Sequence, residues 1–290
     1  MKPGSPPSPF SLSPCPMYLH CGSFQFDLSR PLVMGVLNVT PDSFSDGGLY
    51  DRRDAAVRRA MQLIDEGADI IDVGGESTRP GAKPVSAEEE LDRVLPVIEA
   101  LRGAPISIDS FKPGVIKAAI SAGAVMVNDI NALQDIDAMK AVAESDAAVC
   151  LMHKQGNPQT MQHQPDYRDV VTEVKNFLQE RIRAALAAGV MHERIVIDPG
   201  FGFGKTLAHN LALLSNLAEF RKLQVPILAG LSRKSMLGLI TGKDAQNRMA
   251  SSVAAALIAV QRGASILRVH DVRETVDAIK IWDAVNRGGA

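Results

Sequence analysis

Residues 105–129 read PISIDSFKPGVIKAAISAGAVMVND, and this stretch holds one full repeat of the chain's architecture. A short apolar run, Pro105–Ile108, ends in Asp109. A helical segment follows and stops at Gly123-Ala124, and a second apolar run, Val125–Val127, ends in Asn128 and Asp129. Glycine supplies the left-handed conformation that terminates a helix, and the alanine begins the turn back to a strand. The same pair recurs at Gly67-Ala68 and Gly263-Ala264, each leading straight into another apolar run. The repeating unit is strand, helix, strand.

Working outward, the further runs are Leu32–Leu37, Asp69–Val73, Ala147–Leu151, Arg194–Ile197, Pro226–Ala229 and Ser265–Val269. Strands covered on both faces need such near-continuous hydrophobicity, which makes them parallel. Between them lie helical patterns with apolar spacing of three and four: Val57, Met61 and Ile64; Phe177, Ile182 and Leu186; Val253, Leu257 and Val260. Eight such units in roughly 260 residues predict a TIM (β/α)8 barrel, since an open doubly wound sheet usually has five or six strands. Ser23–Leu28 alternates apolar and polar residues, as part of a short N-terminal hairpin closing the bottom. Residues 1–16 are rich in Pro and Ser and read as a disordered tail, lacking the pattern of a signal or transit peptide. Residues 17–290 read as a single domain.

Composition narrows the function. The chain has 290 residues, 46% hydrophobic and 22% charged, which excludes disorder or coiled coil for its bulk. Thirty-one basic against 33 acidic residues give a net charge of −2, without the basic surplus that nucleic-acid binding needs. No apolar run approaches the roughly 18 residues of a membrane helix. Three cysteines, Cys15, Cys21 and Cys150, form no disulfide framework and no CxxC pair, so the expected compartment is the cytoplasm. Cys150 lies inside an apolar strand and reads as inert core.

Chemistry-bearing residues gather where strands end. Asn38 closes the first, Gly74, Gly75 and Glu76 follow the second, Asp109 ends the third, and Asn128 and Asp129 the fourth. His153 follows the fifth, Asp198 the sixth, Ser232, Arg233 and Lys234 the seventh, and Arg268 and His270 the eighth. In a parallel barrel all these ends open onto one mouth, where barrel enzymes place their chemistry. A lone polar residue at a strand end commonly caps the next helix, but eight clusters on one side exceed capping. Of adjacent Asn128 and Asp129 only one can point inward, leaving the other to cap the helix near Asp135. Arg268 and His270, two apart, share a face beside the Ser-Arg-Lys run, where barrels bind phosphate. Two loops of about a dozen residues, Val39–Tyr50 and Gly74–Ser86, exceed the usual 2–6 and suit lids.

Several motifs are excluded. Gly200–Thr206 (GFGFGKT) resembles a phosphate-binding loop, but Pro199 stands where the first glycine must be, and the dinucleotide GxGxxG spacing is absent. The six histidines show no metal-ligand spacing, and no GxSxG elbow occurs.

Taken together, Asn38–Gly48 (NVTPDSFSDGG), Asp72–Gly81 (DVGGESTRPG), Ser107–Ser110 (SIDS), Val127–Ile130 (VNDI), Asp198–Lys205 (DPGFGFGK), Ser232–Ser235 (SRKS) and Arg268–Val272 (RVHDV) resemble the dihydropteroate synthase family of folate biosynthesis. The motifs stand in family order across residues 34–283 or so. Lys154 departs from the methionine often found there.

The resemblance implies a homodimeric TIM barrel that joins 6-hydroxymethyl-7,8-dihydropterin diphosphate to 4-aminobenzoate and releases diphosphate. It implies Asp109, Asn128, Asp198 and Lys234 around the pterin, and Asn38, Arg268 and His270 on the diphosphate. Mg²⁺ would be held through the Asn38 carbonyl oxygen. Phe44, Thr78, Arg79, Pro80, Phe203, Lys234 and Ser235 would shape the aminobenzoate site and lids. Asp109, Lys234, Arg268 and His270 would carry the catalysis. The implied partners are small molecules, with neither nucleic acid nor membrane. A methyltetrahydrofolate-binding methyltransferase barrel would have no use for a diphosphate site or second lid, and a catalytically silent paralogue should have lost a charged mouth residue.

Overall fold

The structure, a computed structural model, describes residues 18–40, 49–77, 83–156, 161 and 165–286. The predicted tail over residues 1–16 lies outside them. So do the middles of both long loops, with Phe44, Thr78, Arg79 and Pro80. Two strands, β1 (Tyr18–Cys21) and β2 (Phe24–Asp27), form an antiparallel hairpin turning at Gly22-Ser23. Then come β3 (Leu32–Asn38), α1 (Leu49–Asp65), β4 (Ile70–Gly74), α2 (Ala87–Ala100), β5 (Ile106–Asp109), α3 (Pro113–Ala122), β6 (Met126–Asp129), α4 (Ile136–Ala143) and β7 (Ala148–Met152). The chain continues through α5 (Val170–Ala187), β8 (Ile195–Asp198), α6 (Leu207–Ser215), β9 (Leu228–Ala229), α7 (Ser235–Thr241), α8 (Met249–Gln261), β10 (Ile266–Val269) and α9 (Val272–Asn286).

All eight expected parallel strands are present, in the order β8-β7-β6-β5-β4-β3-β10-β9. A parallel bridge between Ile197 and Ile227 joins the two ends of that order, so the sheet closes into a barrel. Alternation then sorts the side chains. Leu32, Met34, Ile70, Met126, Cys150, Val196, Leu228 and Ile266 point inward and fill the barrel. Their neighbours, among them Val33, Ile71, Val73, Ile108, Val127 and Leu267, point outward to the helices. Leu19 and Cys21 of the hairpin pack onto the inner set, so the hairpin plugs the N-terminal end as expected. By buried area alone a leucine so placed contributes about 2–3 kcal/mol. With that end stoppered, the carboxyl ends of the strands form the mouth.

The three Gly-Ala stops are structurally alike. Gly67, Gly123 and Gly263 have φ of 101°, 120° and 100°. The following alanine N–H in each case donates at 2.9 Å to the carbonyl five residues back, at Leu63, Ala119 and Ala259. This bond satisfies a helix-end carbonyl and turns the chain towards the sheet.

The helix faces need correction. In α1 the buried stripe is Ala56, Ala60 and Leu63, whereas Met61 is 50% exposed. That is the expected spacing displaced by one residue, about 100° around the axis. Likewise Val174, Leu178, Ile182 and Ala185 are buried in α5 with Leu186 outside, and Ala255, Ala256, Ala259 and Val260 in α8. Small alanines let α1 and α8 approach the strands closely, and the bulkier residues fall to the flanks.

Candidate active site

Inward alternation on five strands turns five polar side chains towards the mouth, with Asp72 one inward step below Asp109. Asp72, Asp109, Asn128, Asp198 and Arg268 occupy inward positions on β4, β5, β6, β8 and β10, and Asp109 pairs in register with Asn128. Arg268 is gripped from two sides. Its Nε donates to Asp72 Oδ2 at 2.6 Å and its Nη2 to Asp109 Oδ2 at 2.6 Å. Asn128 Nδ2 donates to the same Asp72 oxygen at 3.1 Å. Asp72 is wholly buried, and Asn128 and Asp198 nearly so.

Lys234 enters from the loop after β9. Its ammonium donates to the Phe201 carbonyl and lies 4.7 Å from the centroid of the Phe203 ring, a cation–π contact. Gly230 shows how tightly these groups converge. A Cβ there would lie 3.7 Å from Asp198 Oδ2, 3.8 Å from Lys234 Nζ and 3.9 Å from Arg268 Cβ.

Burial sets the electrostatics. It pushes the Asp109 carboxyl up, against the pull of the Arg268 guanidinium and with a further push from Asp72. Asp198 is raised by the same cause, opposed by Lys234 and by the Gly200 N–H that donates to it at 2.7 Å. Lys234 is pushed down to about 8 by burial, with Asp198 opposing. Burial works against the Arg268 guanidinium too, but Asp72 and Asp109 outweigh it and keep it charged. The result is a water-poor alternation of acceptors and donors on a rigid frame, suited to reading the edge of a planar, polar heterocycle.

Along the rim the loops after β9 and β10 are zipped together. His270 Nδ1 lies 3.0 Å from Ser232 Oγ, and the Arg233 guanidinium forms a two-pronged ion pair with Asp271, its Nε at 3.1 Å. Arg233 holds a left-handed φ of 58°. Its N–H donates to Ser252 Oγ at 2.9 Å, and its carbonyl accepts from Arg248 at 3.0 Å. Asn38 is half-buried at the end of β3, level with Gly74 of β4. Ser235 is exposed at the start of α7.

Residues 34–270 match the model of the family described as "Pterin binding enzyme". This chain belongs to that family. It is 51% identical over 271 residues to the dihydropteroate synthase of Escherichia coli K12, covering 92% of this chain and 96% of the relative. Among solved structures, Xanthomonas albilineans dihydropteroate synthase with 4-aminobenzoic acid superposes with a TM-score of 0.88 at 52% identity, covering 93% of this chain and 98% of that one. Burkholderia cenocepacia dihydropteroate synthase complexed with 7,8-dihydropteroate gives 0.85 at 51%, covering 94% and 97%.

In this pterin binding enzyme Asp109, Asn128, Asp198, Lys234, Arg268 and Phe203 are gathered at the mouth, while His270 sits on the adjoining rim. Asp129 needs correction. It caps no helix, but accepts from the Asn131 and Leu133 N–H groups at 2.7 and 2.8 Å, while Asp135 itself caps α4. Both charges on the 129–135 turn are thereby spent on backbone. Asp72 was overlooked as a site residue. Its signal was a carboxylate at an inward position of an otherwise apolar strand. Lys205 and His153 were overlooked as a pair, for they meet only on folding.

Proposed function

We propose that this pterin binding enzyme is a dihydropteroate synthase, condensing 6-hydroxymethyl-7,8-dihydropterin diphosphate with 4-aminobenzoate to give 7,8-dihydropteroate and diphosphate. The observation that carries it is the buried chain Asn128–Asp72–Arg268–Asp109 standing beside Asp198 and Lys234. Asp109, Asn128, Asp198 and Lys234 hold the pterin edge. Arg268 and His270 face the diphosphate, with Asn38. Phe203 and Ser235, with Phe44, Thr78, Arg79 and Pro80, shape the aminobenzoate side.

In the reaction the C–O bond of the pterin methylene breaks and its electron pair leaves with diphosphate. The aniline lone pair forms the new C–N bond, and the amine then loses a proton to solvent. The aniline is neutral at pH 7 and needs no strong base, so stabilising the leaving group is the larger task. The permanently charged Arg268 serves that task, and the Asp109 carboxylate offsets positive charge on the methylene. This favours an SN1-like course, with the lids excluding water.

Mg²⁺ fits the donor set through Asn38. Among the described residues no cluster of three His, Cys, Asp or Glu could hold a metal alone. A neutral amide oxygen at the mouth suits a hard ion that takes most of its ligands from phosphate and water. When bound, the ion supplies charge neutralisation on the leaving diphosphate.

A homodimer is supported by Ile281 and Val285 on α9, 70% and 75% exposed, which line one hollow with Leu257 of α8. A cytoplasmic setting is supported by Cys21 and Cys150, both buried as free thiols.

The test is to mix both substrates with Mg²⁺ and assay diphosphate and dihydropteroate. Release of both supports the synthase; pterin binding without turnover leaves only a binding protein. Slow diphosphate release from the pterin substrate alone supports the dissociative course, and its complete absence counts against it.

A further inference from the structure

The mechanism leaves the buried Lys205 ammonium, next to the mouth, unused. Lys205 is 3% exposed, at the end of the glycine-rich loop that follows β8. Its Nζ donates to the carbonyls of Gly200 at 2.8 Å and Phe203 at 2.9 Å, and lies 3.0 Å from His153 Nδ1. The His153 carbonyl is a longer fourth acceptor at 3.4 Å. Burial pulls this ammonium down to about 7, with Asp198 opposing, and three good acceptors match its three protons. Burial holds the His153 imidazole down to about 3, so its ring is neutral and one nitrogen is free to accept.

The loop around this ammonium has no slack. Gly200, Gly202 and Gly204 have φ of 71°, 85° and 63°. A Cβ on Gly200 would lie 1.8 Å from the His153 carbonyl oxygen, and one on Gly204 2.4 Å from that of Gln155. Tyr167 Oη donates to the Gly204 carbonyl at 3.0 Å from the other side. What the loop presents to the mouth is the Phe201 carbonyl, which accepts from Lys234, and the Phe203 ring beside the same ammonium. Asp198 by contrast belongs to β8, its backbone held by strand pairing, and only its Oδ1 is tied to the loop, through the Gly200 N–H at 2.7 Å.

We infer that Lys205 is a positioning residue for the amine-accepting side of the site: its ammonium draws the carbonyls of Gly200 and Phe203 inward and so fixes the Phe203 ring against Lys234. The inference rests on the reading that 4-aminobenzoate binds beside Phe203. It separates two duties that the loop and its strand share. Strand β8 aims Asp198 at the pterin, and the lysine-centred ring sets the aromatic wall for the second substrate. A loop of three left-handed glycines has little intrinsic preference for this shape, so a buried charge with directed donors is what selects it.

The test uses the full-length enzyme with both substrates and Mg²⁺. Lys205→Met keeps the side-chain length and removes the donors. The KM for 4-aminobenzoate should rise about tenfold, the weight of a hydrogen bond to a charged group. It should outrun the rise in KM for the pterin substrate by about fivefold. Tyr167→Phe, which loosens the same loop from outside, should move the aminobenzoate KM the same way by about two- to threefold. Equal changes for both substrates, or no change in a Lys205→Met protein that melts cooperatively, overturn the proposal. If that variant does not fold, an unmoved aminobenzoate KM in Tyr167→Phe overturns it instead. Phe203→Ala separates the two levels. A raised aminobenzoate KM there with none in Lys205→Met refutes the lysine's role alone, and an unmoved KM in Phe203→Ala removes the underlying reading and the proposal with it.

Discussion

One oxygen of Asp72, Oδ2, accepts both Arg268 Nε at 2.6 Å and Asn128 Nδ2 at 3.1 Å. A single buried carboxylate oxygen therefore couples the Asn128 amide to the Arg268 guanidinium. Asp72→Asn keeps the shape but removes the charge, leaving Asp109 as the remaining carboxylate bonded to Arg268. We expect a loss of about 1–3 kcal/mol in unfolding free energy, the cost of weakening a buried charged hydrogen bond. The kcat/KM for the pterin substrate should fall as well. Urea denaturation and steady-state kinetics check both, and an unchanged denaturation midpoint would deny Asp72 this role.

Arg268→Ala removes the side chain that, among the described residues, is bonded to both Asp72 and Asp109. Loss of an anion-stabilising donor costs on the order of 10²–10³ in kcat. A second effect follows from burial, which already pushes Asp109 up, with Arg268 the main opposing influence. Without that guanidinium Asp109 takes up a proton more readily, so the acidic limb of the pH–rate profile should move upward. Diphosphate release followed against pH reads both. A wild-type kcat refutes the role of Arg268, and a fixed acidic limb refutes its coupling to Asp109.

Lys234 should set the alkaline limb of the same profile. Its ammonium is held down to about 8 from an ordinary 10.5. As a donor it is competent only when charged, so kcat/KM for the pterin substrate should fall as pH rises through about 8. Stability runs the opposite way. Between about 8 and 10.5 the unfolded chain binds the proton that the folded chain has released, so unfolding free energy rises with pH across that window. Put the other way, this contribution is present above 10.5 and lost as pH falls through about 8. Lys234→Met should flatten both trends, and a variant that keeps the alkaline limb would assign it elsewhere.

The barrel was legible because each strand is an apolar run closed by a polar residue, and because Gly67, Gly123 and Gly263 mark the same stop three times. The helix faces were not. Val57 and Met61 look like core by hydrophobicity, yet Ala56 and Ala60 take the inner face because closeness to the strands favours small side chains. Within the site, residues at strand ends could be read directly, since topology alone gathers Asp109, Asn128, Asp198 and Arg268. Asp72 lies one inward step deeper, flanked by Ile71 and Val73, and looks like part of an apolar strand. Lys205 stands in a stretch like a phosphate-binding loop. Its partner His153 is 52 residues away, so nothing local betrays that the ammonium turns inward to backbone instead of outward to an anion.

Arg233 offers a last test, because its backbone and its side chain can be uncoupled. The φ of 58° costs a non-glycine residue about 1 kcal/mol, while the ion pair with Asp271 and the bond from its N–H to Ser252 hold it there. Arg233→Ala loses the ion pair and keeps the strain. Arg233→Gly loses the same ion pair and relieves the strain, so it should be the more stable of the two by about 1 kcal/mol in urea denaturation. Both should lower kcat, since the pair fixes the loop carrying Lys234 to the loop carrying His270. Equal stability of the two variants would mean that no strain is held at this position. A wild-type kcat in both would mean that Ser232 and His270 suffice to join the two loops.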